Sequence, residues 1–308
     1  MRELFYFLVF PGILFSGFAG GLLCWFDRKI TARLQFRVGP PFFQPFYDFL
    51  KLMGKEMILP KRGSTAMFLL SPLLSLCGAA LAAVMVLLPI TGLETGFKAD
   101  LIVIFYLLAM PSVFAIAGAL SSGNPLAAVG ASREIKLVIG YELSFILALA
   151  AVIYKSEMAL SLQGVLDYQA ANGALLGSAS GILLFVVLIF CLQAKLGLVP
   201  FDMAEAETEI THGMFIDYSG PAYGLFKLTK YVLWFVLPCL VAGLLMNGLG
   251  VEGTDLLWSA IKIIGIVLLL TLIRNTNPRL KIRQALQFFT IWMNLFVLLA
   301  LLLSFFGL

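Results

Sequence analysis

Charged residues are scarce in this sequence. Only 12% of its 308 residues are Asp, Glu, Lys or Arg, whereas 61% are hydrophobic, and the mean hydropathy is +1.01. A soluble chain of this length cannot bury that much apolar surface. The formal net charge of +4 also leaves no basic footprint of the kind that binds nucleic acid. The composition therefore indicates a polytopic membrane protein that lies in a lipid bilayer.

Histidine and cysteine are also scarce. His212 is the only histidine, and the cysteines are single, scattered in apolar surroundings and without a Cys-x-x-Cys pair. Iron–sulfur clusters, structural zinc and haem need sets of such ligands. We therefore expect no metal or cofactor in this chain, and interpret the cysteines as small buried hydrophobic residues. The cysteines are Cys24, Cys77, Cys191 and Cys239.

Long hydrophobic runs make up most of the chain. About 20 residues cross the hydrocarbon core as a helix. The sequence therefore predicts an all-α polytopic membrane protein with about eight transmembrane helices, in which residues 1–308 form a single membrane domain. The opening run is too long for a signal-peptide core and is interpreted as a span that stays. The predicted spans lie near residues 4–26, 65–90, 100–120, 134–153, 177–199, 221–246, 255–274 and 285–307.

Positive charge is concentrated in alternate connections between these spans. The first connection holds most of it, whereas the second, fourth and sixth connections have only Lys98 and Lys155 between them. Because basic connections favour the cytoplasmic side, we expect odd-numbered connections in the cytoplasm and both termini outside. The basic residues of the first connection are Arg28, Lys29, Arg33, Arg37, Lys51, Lys55, Lys61 and Arg62.

The first connection, residues 27–63, also contains a predicted helix. Apolar residues recur at helical spacing between Phe42 and Met57, while Asp48, Lys51 and Lys55 occupy another face. Pro45 is tolerated in the first turn of such a helix. We therefore expect an amphipathic helix that lies in the membrane interface on the cytoplasmic side.

The fifth connection, residues 200–220, is acidic. If it is helical, Asp202, Glu205 and Glu209 share one face and Glu207 points away. Crowded carboxylates cannot all stay ionised cheaply, so at least one should have a raised pKa and could handle protons or cations. The alternative is a solvated loop. In either case the basic first connection could hold it in place. The carboxylates are Asp202, Glu205, Glu207, Glu209 and Asp217.

The fourth span contains a carboxylate of its own, Glu142, two turns beyond Glu134. Ionisable side chains at that depth usually face a bundle interior or a water path. Lys195, near the end of the fifth span, is a candidate counter-charge, as are Lys227 and Lys230 in the sixth. The alternative for these lysines is that they extend to the interface.

Two of these segments resemble a known family. Residues 26–56, FDRKITARLQFRVGPPFFQPFYDFLKLMGKE, resemble the Glu-Arg-Lys…Gln-x-Arg-x-Gly-Pro…Lys-Leu-x-x-Lys-Glu signature after the first span of the complex I subunit that anchors the peripheral arm. Residues 200–220, PFDMAEAETEITHGMFIDYSG, resemble that subunit's Pro-Phe-Asp…Glu-x-Glu…Glu-Tyr-Ser-Gly segment, with Asp217-Tyr218 where Glu-Tyr is usual. Because both motifs are long and eight spans agree, the resemblance covers essentially the whole chain.

Finer features resemble one branch of this superfamily. After Gly39-Pro40 the chain reaches Gln44-Pro45 directly, whereas quinone-reducing complexes usually carry several more residues there. The string Gly-Ala-Ser-Arg-Glu, residues 130–134, is similar to the corresponding subunit of complex I-related (group 4) membrane-bound NiFe hydrogenases. The letters AEAE after PFD, where complex I frequently has PEAE, also resemble the hydrogenases.

The resemblance implies an anchor and coupling subunit without a catalytic site of its own. In such complexes a soluble arm on the cytoplasmic side of the inner (cytoplasmic) membrane moves electrons from ferredoxin to a NiFe centre, which evolves hydrogen. The NiFe centre and the iron–sulfur clusters are expected in partner subunits. The implied partners are the hydrogenase large and small subunits, a ferredoxin-linked iron–sulfur subunit and antiporter-like membrane subunits that translocate protons or sodium ions.

Residue roles follow from the same resemblance. We expect Arg28, Lys29, Arg33 and Arg37 to dock the soluble arm. The alternatives are a quinone-reducing complex I subunit, a sulfur-reducing relative of the hydrogenases and a stand-alone cation transporter. The predicted coupling path comprises Glu134, Glu142, Lys195, Asp202, Glu205, Glu207, Glu209 and Asp217.

Overall fold

A computed structural model describes residues 2–61, 63–92, 100–250 and 253–307, without the side chains of Arg2, Glu207 and Thr208. Arg62 and Lys98, which entered the orientation prediction, lie outside these residues. Within the described ranges the chain is helical, and its only β-type pairing is an isolated bridge between Asp100 and Ser161. Seven helices of this part of the chain are long and apolar enough to span a membrane. The predicted all-α membrane fold is therefore confirmed.

The helices follow the predicted spans closely. The first span is formed by α1 and α2 together, and the last by α12 and α13, which a π-helical turn at Phe288–Met293 joins. The helices are α1 (Arg2–Leu8), α2 (Ile13–Leu34), α3 (Gln44–Met53), α4 (Thr65–Ile90), α5 (Leu101–Ser121), α6 (Pro125–Lys155), α7 (Leu162–Asn172), α8 (Ala179–Lys195), α9 (Glu207–Ile210), α10 (Gly220–Leu245), α11 (Gly253–Thr276), α12 (Ile282–Gln287) and α13 (Asn294–Phe305).

The fourth span begins nine residues earlier than the predicted residue 134. Asn124 caps α6, because its side chain accepts a hydrogen bond from the backbone N–H of Leu126 at 3.0 Å. Pro125 then occupies the first helical position, where its missing N–H costs nothing. The predicted boundary was wrong because it treated the charged residues Arg133, Glu134 and Lys136 as the edge of the span. They lie inside the helix instead.

The fifth span is shorter than predicted. The helix α8 ends at Lys195, and Gly197 follows it with a φ of +62°, a left-handed conformation that glycine adopts readily. Its 17 residues rise about 26 Å at 1.5 Å per residue, which is close to the lower limit for a span. The remaining residues to Val199 belong to the acidic connection.

Close helix packing positions the first and fifth connections. The helices α2, α4, α5 and α10 pack together, and α6 packs against α5, α8 and α13. At the α2–α10 contact, a Cβ on Gly20 would overlap the backbone carbonyl of Tyr231. Small residues allow such approach between membrane helices. The contact brings the ends of the first and sixth spans together.

The amphipathic helix of the first connection is present as α3. It covers Gln44–Met53, within the predicted 42–57 region, with Pro45 in its first turn. Phe46 stacks on Phe18 of α2, with ring centroids 5.1 Å apart. The Tyr231 hydroxyl of α10 donates a hydrogen bond to the carbonyl of Pro45 at 3.2 Å. The helix α3 is therefore held against both the first and the sixth span.

The π-helical turn lies against the acidic connection and the fourth span. Phe289 packs on Phe201 of the acidic connection, with ring centroids 4.8 Å apart. Its backbone carbonyl lies 3.1 Å from the Ser144 hydroxyl of α6, which also lies 2.8 Å from Asn294 Oδ1. A π turn leaves a carbonyl without its usual helical partner. The side chain of Ser144 meets that carbonyl.

Candidate functional site

A cavity of about 470 Å³ lies between α2, α5, α6, α10 and the start of the acidic connection. Charged side chains from several spans and connections meet on its wall. A cavity walled by so many ionisable groups suits water and ions better than an apolar molecule. The ionisable acidic and basic side chains on its wall are Asp27, Arg28, Glu134, Lys195, Asp202, Glu205, Lys227, Lys230, Arg274 and Arg279.

The acidic connection is not one continuous helix, which is the arrangement that would put Asp202, Glu205 and Glu209 on one face. Its helical parts are the short α9 and a 3-10 turn at Gly213–Phe215, and between them Thr211 and His212 take left-handed conformations with φ of +44° and +83°. The carboxylates pair with different elements, which a single helical face could not reach. The pairs are Asp202–Arg279 at 2.9 Å, Glu205–Lys230 at 3.0 Å and Glu209–Arg133 at 2.6 Å.

The partners of the acidic connection also differ from the prediction. These three carboxylates meet cations from the seventh connection, α10 and α6, and not from the first connection. The two connections touch elsewhere, where the backbone N–H of Ile58 donates to the Ser219 hydroxyl at 2.9 Å. The total charge of each connection, on which the expectation rested, therefore does not identify the partners of these three carboxylates. The fold instead pairs these carboxylates with single cations of other elements, two of them inside α6 and α10 and one in the seventh connection.

Asp202 fulfils the expectation that one of these carboxylates has a raised pKa. Burial raises the pKa of Asp202, and the opposing charge of Arg279 offsets only part of that effect. One oxygen, Oδ2, meets Arg279 Nε at 2.9 Å. The other, Oδ1, is buried and has no hydrogen-bond partner among the described residues. Asp202 therefore binds a proton more readily than an exposed aspartate.

Glu142 and Lys195 form the most buried ion pair described in the chain. Their Oε1 and Nζ atoms are 2.5 Å apart, and the side chains are 12% and 3% exposed. The Lys195 ammonium also lies 5.2 Å from the ring centre of Tyr141 and 5.3 Å from that of Phe145, within cation–π range. The second oxygen, Glu142 Oε2, is buried without a hydrogen bond from any described group.

The cavity reaches this pair through Lys195. Lys195 lines the cavity, whereas Glu142 lies behind it. Glu134, one further wall residue of α6, lies within the electrostatic range of Lys195, Lys230 and Glu205. The hydroxyls of Ser112 on the wall and Tyr141 are 3.2 Å apart. The structure thus brings Glu134, Lys195, Asp202 and Glu205 together and places Glu142 one contact beyond them.

Asp217 is not part of the cavity wall. Its Oδ1 accepts a hydrogen bond from the Asn124 side chain at 3.0 Å, next to the start of α6. The neighbouring Tyr218 ring stacks on Phe68 with centroids 4.0 Å apart, and burial raises the pKa of Tyr218 to about 12. Its hydroxyl therefore stays protonated and donates to the Phe68 carbonyl at 3.1 Å. These contacts attach the end of the acidic connection to α4.

Among the predicted docking residues, Arg28 faces inward. Its guanidinium meets Asp48 of α3 at 3.1 Å, and Lys227 of α10 meets the same carboxylate at 3.6 Å. Burial alone would raise the pKa of Asp48, but hydrogen bonds from Gln44 and Arg28 and the charge of Lys227 lower it below its usual value. Lys29 is half-buried, whereas Arg33 and Arg37 are exposed.

Sequence reasoning missed a second buried carboxylate, Asp27. It is 1% exposed and meets Arg274 of α11 at 2.6 Å, while the Thr271 hydroxyl donates to it at 2.9 Å. The predicted first span ended one residue before it, so Asp27 was counted with an exposed loop. The burial of Asp27 could have been predicted from its position directly after an unbroken apolar run. Arg279, the partner of Asp202, was not singled out from the sequence either.

Comparison with known proteins agrees with this architecture. Residues 7–305 match the family model described as NADH dehydrogenase. The chain belongs to this family. It is 34% identical over 286 residues to the NADH-quinone oxidoreductase H-subunit of Thermomicrobium roseum, with 85% of this chain and 83% of that protein covered. It is 31% identical over 280 residues to an H-subunit of NADH-quinone oxidoreductase from Syntrophobacter fumaroxidans, with the same coverage.

A solved structure is also similar along nearly the whole chain. It is that of the membrane-bound sulfane sulfur reductase, an archaeal respiratory membrane complex. The TM-score is 0.86 at 26% sequence identity, and the match covers 95% of this chain and 96% of that one. The protein is therefore a multi-pass membrane subunit of the complex I H-subunit family, whose relatives are subunits of respiratory membrane complexes.

Proposed function

We propose that this subunit couples electron transfer in a soluble arm to ion movement in the membrane. The single observation that carries the proposal is the charged cavity, whose wall joins the acidic connection to Lys195 and thereby to Glu142. A redox step at the arm changes the local charge, and partly buried ion pairs on the cavity wall respond to it more strongly than pairs in bulk water would. The subunit itself carries no catalytic residue in this proposal.

The path begins at the acidic connection. Asp202 and Glu205 face the cavity and are held by Arg279 and Lys230. A charge that arrives near these pairs changes the protonation equilibria of their carboxylates. Glu134 is the next acidic group on the wall. The electrostatic change reaches Glu142 through its ion pair with Lys195. We assign Glu207 and Glu209 to the entrance of this path, since Glu209 pairs with Arg133 at 2.6 Å, and Asp217 to its attachment on α6.

We place the soluble arm on the cytoplasmic side, beside the basic first connection. Arg33 and Arg37 are exposed there and are free to meet a partner surface. Arginine makes multidentate contacts with carboxylates, which suits a docking surface. Arg28 and Lys29 lie deeper and support the docking surface by holding α3, since Arg28 bonds Asp48.

For the chemistry of the arm we propose ferredoxin-dependent hydrogen evolution, with a NiFe centre and iron–sulfur clusters in partner subunits and antiporter-like subunits that move protons or sodium ions. The short first connection and the string at residues 130–134 support this branch. A sulfur-reducing arm is the second candidate, favoured by the similarity to the sulfane sulfur reductase. The curated relatives act on quinone, and a quinone-reducing complex is the third.

The test is purification of the complex through a tag on this chain. Reduced ferredoxin is supplied, and hydrogen, sulfide and quinol are measured separately, with ion uptake followed in sealed vesicles. Hydrogen evolution and a co-purifying large subunit with two Cys-x-x-Cys pairs support the proposal. Sulfide or quinol as the sole product contradicts the hydrogenase branch. A chain that purifies alone and still moves cations contradicts the coupling role.

A further inference from the structure

We infer that Phe36 and Val38 form an apolar anchor that inserts into a pocket of the soluble arm. Phe36 and Val38 are 101% and 96% exposed, while the next most exposed large hydrophobic residue of the described ranges, Phe305, is 74% exposed. Phe305 lies in a membrane span, where lipid covers it. Phe36 and Val38 lie in the connection after α2, beyond its last residue. This inference rests on the proposed docking role and specifies its contact residues.

The backbone holds Phe36 in a conformation that aromatic residues avoid. Its φ is +57°, in the left-handed region. The N–H of Phe36 bonds the carbonyl of Arg33 at 3.1 Å and the N–H of Arg37 bonds that of Ala32 at 2.7 Å. These two bonds form the Schellman motif that ends many helices, in which the left-handed residue is usually glycine. The helix end alone would favour glycine at position 36.

No contact among the described residues explains the aromatic side chain. In a Schellman motif the residue after the left-handed one commonly makes an apolar contact with the helix, but here that residue is Arg37, which is exposed. Phe36 has its full surface in solvent. A strained and exposed aromatic residue is expected where a partner covers it, since aromatic anchors dominate binding at interfaces.

The loop is fixed at both ends, so the anchor is presented in one place. The Gln35 side chain donates to Asn275 Oδ1 at 3.3 Å, and Asn275 donates to the Thr31 hydroxyl at 3.1 Å. The Trp25 indole N–H donates to the carbonyl of Pro40 at 3.2 Å. A preorganised loop loses little conformational entropy when a partner binds.

Charge defines the chemistry of the partner. The sequence from Arg28 to Tyr47 contains no acidic residue, and two exposed cations accompany the anchor, Arg33 before it and Arg37 between its two residues. The complementary surface is a protein subunit with an apolar pocket bordered by carboxylates. An anionic membrane surface would also attract these arginines. The strain at a single aromatic position favours a shaped pocket over a fluid lipid surface.

The experiment uses the intact complex. The soluble arm is released from its own membranes, purified and titrated back onto stripped membranes that carry the wild-type subunit, the double variant Phe36→Gly/Val38→Ser, or Phe36→Tyr. Glycine suits the left-handed position, so the helix end stays intact. The double variant should weaken rebinding by about thirtyfold or more, as expected for an aromatic hot spot. Phe36→Tyr should retain most of the binding.

Met158→Gly is the matched control. Met158 also follows a helix with a left-handed φ of +64°, is 68% exposed, and bonds the carbonyl five residues before it at 2.9 Å. It lies in the connection after the fourth span, which the charge pattern places on the opposite side of the membrane. Rebinding of the arm should be unchanged in this variant. An equal loss in both variants overturns the anchor, because it shows a general effect.

A second format separates the partner from the lipid. The detergent-solubilised membrane part is immobilised, and the purified soluble arm is the probe. A loss of binding in both formats supports the anchor. A loss in membranes that disappears in detergent assigns the loop to lipid and overturns it. If Arg33→Ala/Arg37→Ala releases the arm but the double variant does not, the anchor fails and the docking role stands. If neither releases the arm, the docking role itself fails.

Discussion

Two ion pairs of this protein lie in opposite environments. Glu142–Lys195 joins α6 to α8 at 2.5 Å, with side chains that are 12% and 3% exposed. Arg28–Asp48 joins α2 to α3 at 3.1 Å, with side chains that are 36% exposed for arginine and 26% for aspartate. Aromatic rings face the Lys195 ammonium, whereas a second cation, Lys227, shares the Asp48 carboxylate.

These environments fit the proposed roles of the two pairs, one in coupling and the other in attaching α3. A buried pair depends on its partner, because each charge alone is costly in a medium of low polarity. A change in the charge of one group therefore strongly alters the free energy of the charged form of the other. A partly exposed pair is screened by water and salt and contributes about 1 kcal/mol at most. The Glu142–Lys195 pair can transmit a charge, and the Arg28–Asp48 pair attaches α3.

The largest expected effect on stability is that of Lys195→Met. It leaves Glu142 buried without its cation, which costs about 3–5 kcal/mol for a buried pair. The amount of folded subunit in the membrane and its thermal midpoint should fall. Lys227→Met is the matched control, since Asp48 keeps Arg28 as a partner. Equal stability of the two variants would show that loss of the buried Lys195 charge does not lower the free energy of unfolding more than loss of the partly exposed Lys227 charge.

The double variant Lys195→Met/Glu142→Leu separates stability from coupling. It replaces the buried pair with apolar side chains, so most of the stability should return. Ion translocation should be absent, because both charges of the pair that links the cavity to Glu142's position are gone. Recovery of both properties would contradict the role of the pair.

A smaller effect is expected when the pH is lowered around Asp48. Its pKa in the folded protein lies below its usual value of 3.8, so the unfolded chain takes up a proton first as the pH falls. The stabilisation is present above pH 3.8 and is lost as the pH falls through the lowered pKa. It amounts to about 1 kcal/mol or less for so exposed a pair. Thermal midpoints of the wild type and Asp48→Asn should converge at low pH.

The smallest effect on stability is expected at the exposed arginines. Arg33→Ala/Arg37→Ala should change the free energy of unfolding by about 0.5 kcal/mol or less, as is usual at exposed positions. The same variant should release the soluble arm from washed membranes. Lys51→Ala/Lys55→Ala removes equal charge from exposed positions of the same connection and should retain the arm. If assembly survives in both variants while ion movement fails, the docking assignment is wrong.

The spans could be predicted because hydrophobic length determines them. The region 65–90 coincides with α4, and the predicted 100–120 differs from α5 by one residue at each end. The pairing of Glu142 with Lys195 was also within reach, since two opposite charges in adjacent spans have few other partners. The start of α6 was missed, because charged residues were taken as a boundary although Asn124-Pro125 is a helix-start signal.

The acidic connection could not be predicted in the same way. Helical spacing put Asp202, Glu205 and Glu209 on one face, but each carboxylate meets a cation from a different element. Such pairings depend on which helix ends lie together, which no local pattern contains. Asp27 was missed for a related reason. Its partner Arg274 lies 247 residues later, and only the packing of α2 on α11 brings the two together.

The most direct test of the coupling claim is the ion gradient in sealed vesicles that contain Glu142→Gln. Glutamine keeps the size and hydrogen-bonding capacity of Glu142 but removes its charge. At matched subunit content, product formation driven by reduced ferredoxin should remain partly active while the ion gradient collapses. An unchanged number of ions moved per product formed would contradict the account and place Glu142 outside the coupling path.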